Sequence, residues 1–250
     1  MSEPYLIAIF VFCVYLAAGT IKGTLGIGLP TTALTLMTFF LSPFHALAIN
    51  LVPMLITNIW QFSRSQNLVL LIKRYAYFAL GLSVSIFAVS FVTAQLSSNE
   101  VRIAVAIAVI IFALYNLFQR PFVLSLAHDK AWQLFFGVLA GIMGALTSMW
   151  AVPLVMYLLS RNLSPKEFVD AAGFLLLVGC VPLSIGYIST GLVTWDVFWP
   201  ALAGTIGSLT GFQIGAQLRH FIKADLFKKV LLWFFLIMGI RMAIVALSAL

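Results

Sequence analysis

Acidic side chains are scarce in this sequence. Asp and Glu together number 7 in 250 residues, and charged residues of both signs make up 8%. A water-soluble globule carries about a quarter of its residues as charges, so that class is excluded. The acids that exist do not pair inside apolar runs, which removes the two-carboxylate pattern of acid–base catalysis. Histidine is nearly absent: His45, His128 and His220 sit at segment ends or in loops, and there is no HExxH. The two cysteines, Cys13 and Cys180, stand alone in apolar stretches without CxxC or metal-type spacing, and read as packing residues. No GxxxxGK[ST] motif supplies a nucleotide-phosphate loop. We therefore expect no catalytic residues, no metal and no cofactor; a membrane-embedded enzyme lacks its chemistry here.

Apolar residues, by contrast, make up 63% of the chain, and the mean hydropathy is +1.11. That composition makes lipid the solvent. At about 20 residues per crossing, the length holds about eight to ten crossings with short connections, as one transmembrane domain over 1–250. The net charge of +7 is spread singly or in pairs at the ends of apolar runs, which is the distribution of cytoplasmic membrane loops rather than of a nucleic-acid surface. The expected partners are the bilayer and a small anionic solute, with no nucleic acid; an oligomer is left open but not indicated by the sequence. The first run, Tyr5 to Ile21, follows Glu3 rather than a basic stretch, so we expect it to be retained and not cleaved as a signal peptide.

Apolar runs and breakers give segments at 5–21, 31–41, 45–62, 76–96 and 101–118, then 131–147, 151–160, 167–190, 197–218 and 226–249. A basic linker, Arg120 to Lys130, divides them. Pro30 and Pro153 are 123 positions apart; Ser42-Pro43 and Ser164-Pro165 are 122 apart, as are Gln95-Leu96 and Gln217-Leu218. Three landmarks in register point to duplication, with a first repeat at 1–119 and a second at 131–250. If the short segment of each half returns the chain to the face it came from, Lys22, Arg64, Lys73, Arg74, Arg120 and Lys130 share one side with Arg161, Lys166, Arg219, Lys223, Lys228 and Lys229, and only Arg102 and Arg241 do not. The positive-inside rule then favours inverted repeats and termini outside the cytoplasm. The expected fold is an all-α integral membrane protein of two inverted repeats, each a broken or re-entrant helical hairpin followed by three transmembrane helices.

The residues available for solute binding lie at the first hairpin turn, Gly19-Thr-Ile-Lys-Gly23-Thr-Leu-Gly26-Ile-Gly28-Leu-Pro30-Thr31. Its glycines are expected to break the helix near Lys22, Gly23, Thr24, Gly26 and Gly28, with Pro30 starting the next helix. That helix N-terminus presents free N–H groups and a positive dipole end to an anion. Close helix packing is the alternative use of such glycines, and it is the natural reading of Gly207, Gly211 and Gly215. Lys22 fits either anion binding or snorkelling to the interface. The second half repeats the pattern with Gly141, Gly144, Thr147, Ser148 and Pro153. Asn50, Thr57, Asn58 and Gln61 fall on one side of a helix at 100° per residue, where they line a cavity or bond between helices. Arg241 is a second anion ligand or an interfacial anchor.

The run from Lys22 to Pro30, with its echo before Pro153 and the two-half layout, resembles the TauE/SafE family of sulfite exporters over nearly the whole chain. The resemblance implies movement of sulfite, sulfonates or related sulfur-containing anions across the bacterial inner membrane, as a multi-pass protein there. A secondary transporter working by alternating access is the leading expectation; an anion channel or a structural membrane subunit is the alternative.

Overall fold

The computed structural model describes residues 3–25, 28–63, 68–118, 124–161, 163–218 and 224–248. Gly26, Arg64, Arg120, Arg219 and Lys223 lie outside them. Among the described residues every regular element is a helix: α1 (Glu3–Leu25), α2 (Leu29–Met37), α3 (Pro43–Phe62), α4 (Leu68–Thr93), α5 (Ser98–Leu117), α6 (Asp129–Thr147), α7 (Ala151–Leu159), α8 (Pro165–Ser189), α9 (Phe198–Leu218) and α10 (Ala224–Leu247), with short 3₁₀ turns at Leu126–His128 and Trp195–Val197. Seven of these are long and apolar enough to cross a bilayer. The 9-residue α2 and α7 rise only about 13 Å each, less than half a hydrocarbon core. α9 is 21 residues long and falls outside the seven because of its many Gly, Ser and Thr residues.

Both chain halves start their elements alike. Pro43 and Pro165 each open a helix behind a serine, and Ser42 Oγ accepts from the His45 amide at 3.3 Å as Ser164 Oγ does from that of Glu167 at 3.3 Å. Pro at the first helical position loses no hydrogen bond, because that N–H has no partner within the helix.

The helices gather into two compact units that draw on both halves. The first unit comprises Met1–Thr57, Leu96–Phe118 and Gly191–Leu250. Its main seam joins α1 to α9, where Gly207, Gly211 and Gly215 face the backbone of Phe12, Leu16 and Thr20, and Gly19 and Gly23 face that of Ser208 and Phe212. A side chain at any of the five would meet backbone, so the glycines let two helices touch main chain to main chain. The helix thus runs unbroken through Gly19 and Gly23 to Leu25, a correction to the expected break at those glycines: tight packing on α9 takes up their missing side chains. α5 and α10 form the other pair, joined by Phe112 and Phe235 at 6.0 Å between ring centroids and by the Asn99 amide donating to the Ala246 carbonyl at 2.8 Å.

The second unit comprises Asn58–Gln95 and Gln119–Thr190. α4 packs on α6 with Gly81, Gly137 and Gly141 at the contact, and also on α8. Helix α6 likewise continues through Gly141 and Gly144 to Thr147. α4 bends at Tyr75, whose backbone (φ −113°, ψ 20°) is not helical. The kink interrupts the hydrogen bond that Phe78 N–H would give to the Arg74 carbonyl. Gln133 of α6 replaces it: its Oε1 accepts from Phe78 N at 3.3 Å and its Nε2 donates to the Arg74 carbonyl at 3.0 Å. A side-chain amide inserted into the ladder is a recognised cause of a helix bend.

Candidate anion site

The first unit holds the break that the sequence marks most clearly. α1 ends at Leu25, and α2 opens behind Gly28, whose φ of 103° lies in the left-handed region that a side chain disfavours. No side chain caps α2, and Pro30 is its second residue. Thr31 and Thr32 are buried at 2% exposure each, so the α2 N-terminus lies inside the unit. Thr32 Oγ1 turns back to the Gly28 carbonyl at 2.8 Å. One turn on, the hydroxyl of Thr35 is fully buried without a hydrogen-bond partner among the described residues.

Lys22 is 3% exposed, and its Nζ donates to Thr57 Oγ1 at 3.3 Å. Burial at that level does not fit a snorkelling lysine. Thr57 in turn donates to the Pro53 carbonyl at 2.8 Å, which leaves an oxygen lone pair directed at the ammonium group. Two turns away, Tyr15 Oη donates to Asn50 Oδ1 at 2.8 Å. Both pairs are separated by 35 positions in the chain. A constant offset of the same sign means that α1 and α3 run in the same direction, so α2 carries the chain back between them. The pairing also explains the polar residues of α3 up to Thr57, since a buried amide and hydroxyl need partners.

The second unit contains the other break. α6 ends on Ser148, a non-glycine in the left-handed region (φ 54°), and α7 begins behind Trp150 without a side-chain cap. Thr147 donates to the Met143 carbonyl at 2.6 Å, and Pro153 is buried as the third residue of α7. Trp150 is 1% exposed and packs between Gly144 and Gly179. The lower part of the polar stripe belongs here: Asn58 Nδ2 donates to Cys180 Sγ at 3.2 Å, and Gln61 lies against Gly173. The stripe is therefore divided, with Asn50 and Thr57 meeting α1 and Asn58 and Gln61 meeting α8. Gly23 and Thr24 belong to the α1–α9 seam, where Thr24 Oγ1 reaches the Gly215 carbonyl at 3.2 Å. Arg241 is exposed, its guanidinium 5.2 Å from the Phe39 ring centroid. Tyr15, Thr35 and Trp150 were not singled out by sequence; the seven-residue spacing that Tyr15 and Lys22 share with Asn50 and Thr57 is a sequence signal that could have found Tyr15.

A model of the family described as Sulfite exporter TauE/SafE matches residues 11–242. The chain belongs to the TauE/SafE family. No curated protein matches it, and no solved structure does. The matched span runs from within α1 to within α10, so the TauE/SafE character extends over both chain halves, and transport across a membrane is the family's activity.

Proposed function

We propose that this chain is a secondary transporter that carries sulfite, a sulfonate or a similar small sulfur-containing anion across the bacterial inner membrane by alternating access. Lys22 and the α2 N-terminus receive the anion in the first unit, with Thr31 and Thr57 alongside. The observation that carries this reading is a lysine only 3% exposed in the same unit as an uncapped, buried helix start. A positive charge, free backbone N–H groups and a helix dipole attract a small oxyanion without a cofactor. Broken helices of this kind mark ligand sites in transporters because unpaired backbone is tolerated only where it lines a cavity or is buried in protein. The paired breaks and the charge distribution support inverted repeats with both termini in the periplasm.

The test is flux of isotopically labelled sulfite in proteoliposomes made with the full chain. Saturable uptake accelerated by unlabelled sulfite inside the vesicle is the expected result. Flux that neither saturates nor shows counterflow identifies a channel instead, and no flux of sulfite, methanesulfonate or taurine refutes the reading.

A further inference from the structure

A second cluster of charge lies in the other unit, at the open end of the α6–α7 hairpin. Arg161, just past α7, has a side chain only 5% exposed. Its guanidinium carbon sits 4.9 Å from the Tyr157 ring centroid, and one terminal nitrogen lies 2.8 Å from Asp129 Oδ1. Among the described residues, Nε and Nη1 have no hydrogen-bond partner. An aromatic ring engages the face of a guanidinium and leaves its five in-plane N–H donors to be satisfied otherwise.

Asp129 cannot turn to serve those donors. Its Oδ1 accepts from Tyr157 Oη at 2.8 Å, and its Oδ2 accepts from Gln133 Nε2 at 2.8 Å. Gln133 is itself fixed, because the same carboxamide stitches the α4 kink at Arg74 and Phe78. The carboxylate is thus anchored to the backbone of α4 and reaches one corner of the guanidinium only. Buried polar groups are ordinarily paired, and planar, weakly hydrated Arg donors match oxyanions in geometry and charge.

We propose that Arg161 is an oxyanion-binding residue, taking the oxygens of a sulfonate, sulfite or phosphate group on the N–H donors that Asp129 leaves unused. The group comes either from a free solute or from the phosphate of an anionic lipid. The site does not depend on Lys22.

The experiment uses the full chain with Lys22→Met, so that binding in the first unit is weakened and a change at Arg161 can be read against it. Calorimetric binding of methanesulfonate and of inorganic phosphate is measured in detergent, and retention of phosphatidylglycerol is measured by native mass spectrometry. Arg161→Gln alone strands the Asp129 charge, so the comparison uses the double variant Asp129→Asn/Arg161→Gln, with Arg161→Lys as the charge-keeping control and thermal melting to verify folding. Binding of the free anions, weakened at least tenfold in the double variant and partly kept in Arg161→Lys, assigns a solute. Lipid retention lost only in the double variant assigns a lipid phosphate. If the folded double variant equals its parent in both measurements, or the parent binds neither probe, the buried nitrogens hold water alone and the proposal is overturned.

Discussion

A single methyl group placed in the α1–α9 seam should separate the two helices. Gly211→Ala puts its Cβ against the Leu16 carbonyl, 2.8 Å from the Thr20 nitrogen and 3.0 Å from the Leu16 carbonyl carbon. All are backbone atoms, which cannot rotate aside as a side chain does, so α1 and α9 must part by several tenths of an ångström. Gly207 and Gly215 make the same kind of contact on either side, with Phe12 and Thr20, so the displacement loosens three contacts rather than one. Overpacking of this sort costs about 1–3 kcal/mol, or more where main chain is involved. The better helix propensity of alanine returns up to about 1 kcal/mol, leaving a net loss near 2 kcal/mol. For a chain of this size that lowers the melting temperature by about 4–8 °C, readable by thermal unfolding of the purified protein in detergent. Ile206→Ala, on the exposed side of the same helix at 53% exposure, is the control and should change stability by less than about 1 kcal/mol. Equal melting temperatures for the two variants would refute close backbone packing.

Two further outcomes follow from single hydrogen-bond networks. Gln133→Leu leaves the buried Phe78 N–H without a partner and frees the part-buried Arg74 carbonyl at the α4 kink, at about 1–3 kcal/mol for the buried group; the melting temperature should fall and amide exchange at Phe78 should rise, and unchanged exchange would contradict the stitch. At Asp196, which lies 2.6 Å from His45 Nε2, hydrogen bonds from Thr194 first and His45 second hold the carboxyl below the usual aspartate range. A depressed folded pKa stabilises above the unfolded value, near pH 4, and the stabilisation is lost as pH falls through the folded value. The wild type should therefore lose stability in that acid window more steeply than Asp196→Asn, and parallel melting profiles would show that the contact contributes nothing.

The sequence announces the helices well because each apolar run ends in charge, glycine or proline. Both half-helices and their proline starts are legible this way, and the spacing of Gly207, Gly211 and Gly215 by four reads directly as helix packing. Helix α4 is longer than its run predicts, starting at Leu68 rather than 76, because Lys73 and Arg74 look like a loop until Gln133 is seen closing the kink. Periodicity identifies a buried face but not the helix that covers it. The pairing of α1 with α9 and of α4 with α6, each joining the first helix of one half to the fourth of the other, was therefore not readable. The α3 stripe was visible as polarity, yet its division between Tyr15 and Lys22 on one side and Cys180 on the other depends on how the chain folds back. Arg161 read as one more basic residue, since its partner Asp129 is 32 positions away across a hairpin.

The anion site itself is tested most directly by measuring sulfite affinity of the purified chain with Lys22 intact and with Lys22→Met, which keeps an unbranched side chain of nearly the same length without its charge. Loss of one charge-assisted hydrogen bond, about 1.5–3 kcal/mol, weakens binding by roughly tenfold to a hundredfold. The melting temperature should stay level or rise, because a buried charge is removed. Sulfite bound equally well by both proteins would contradict the placement of the anion at Lys22.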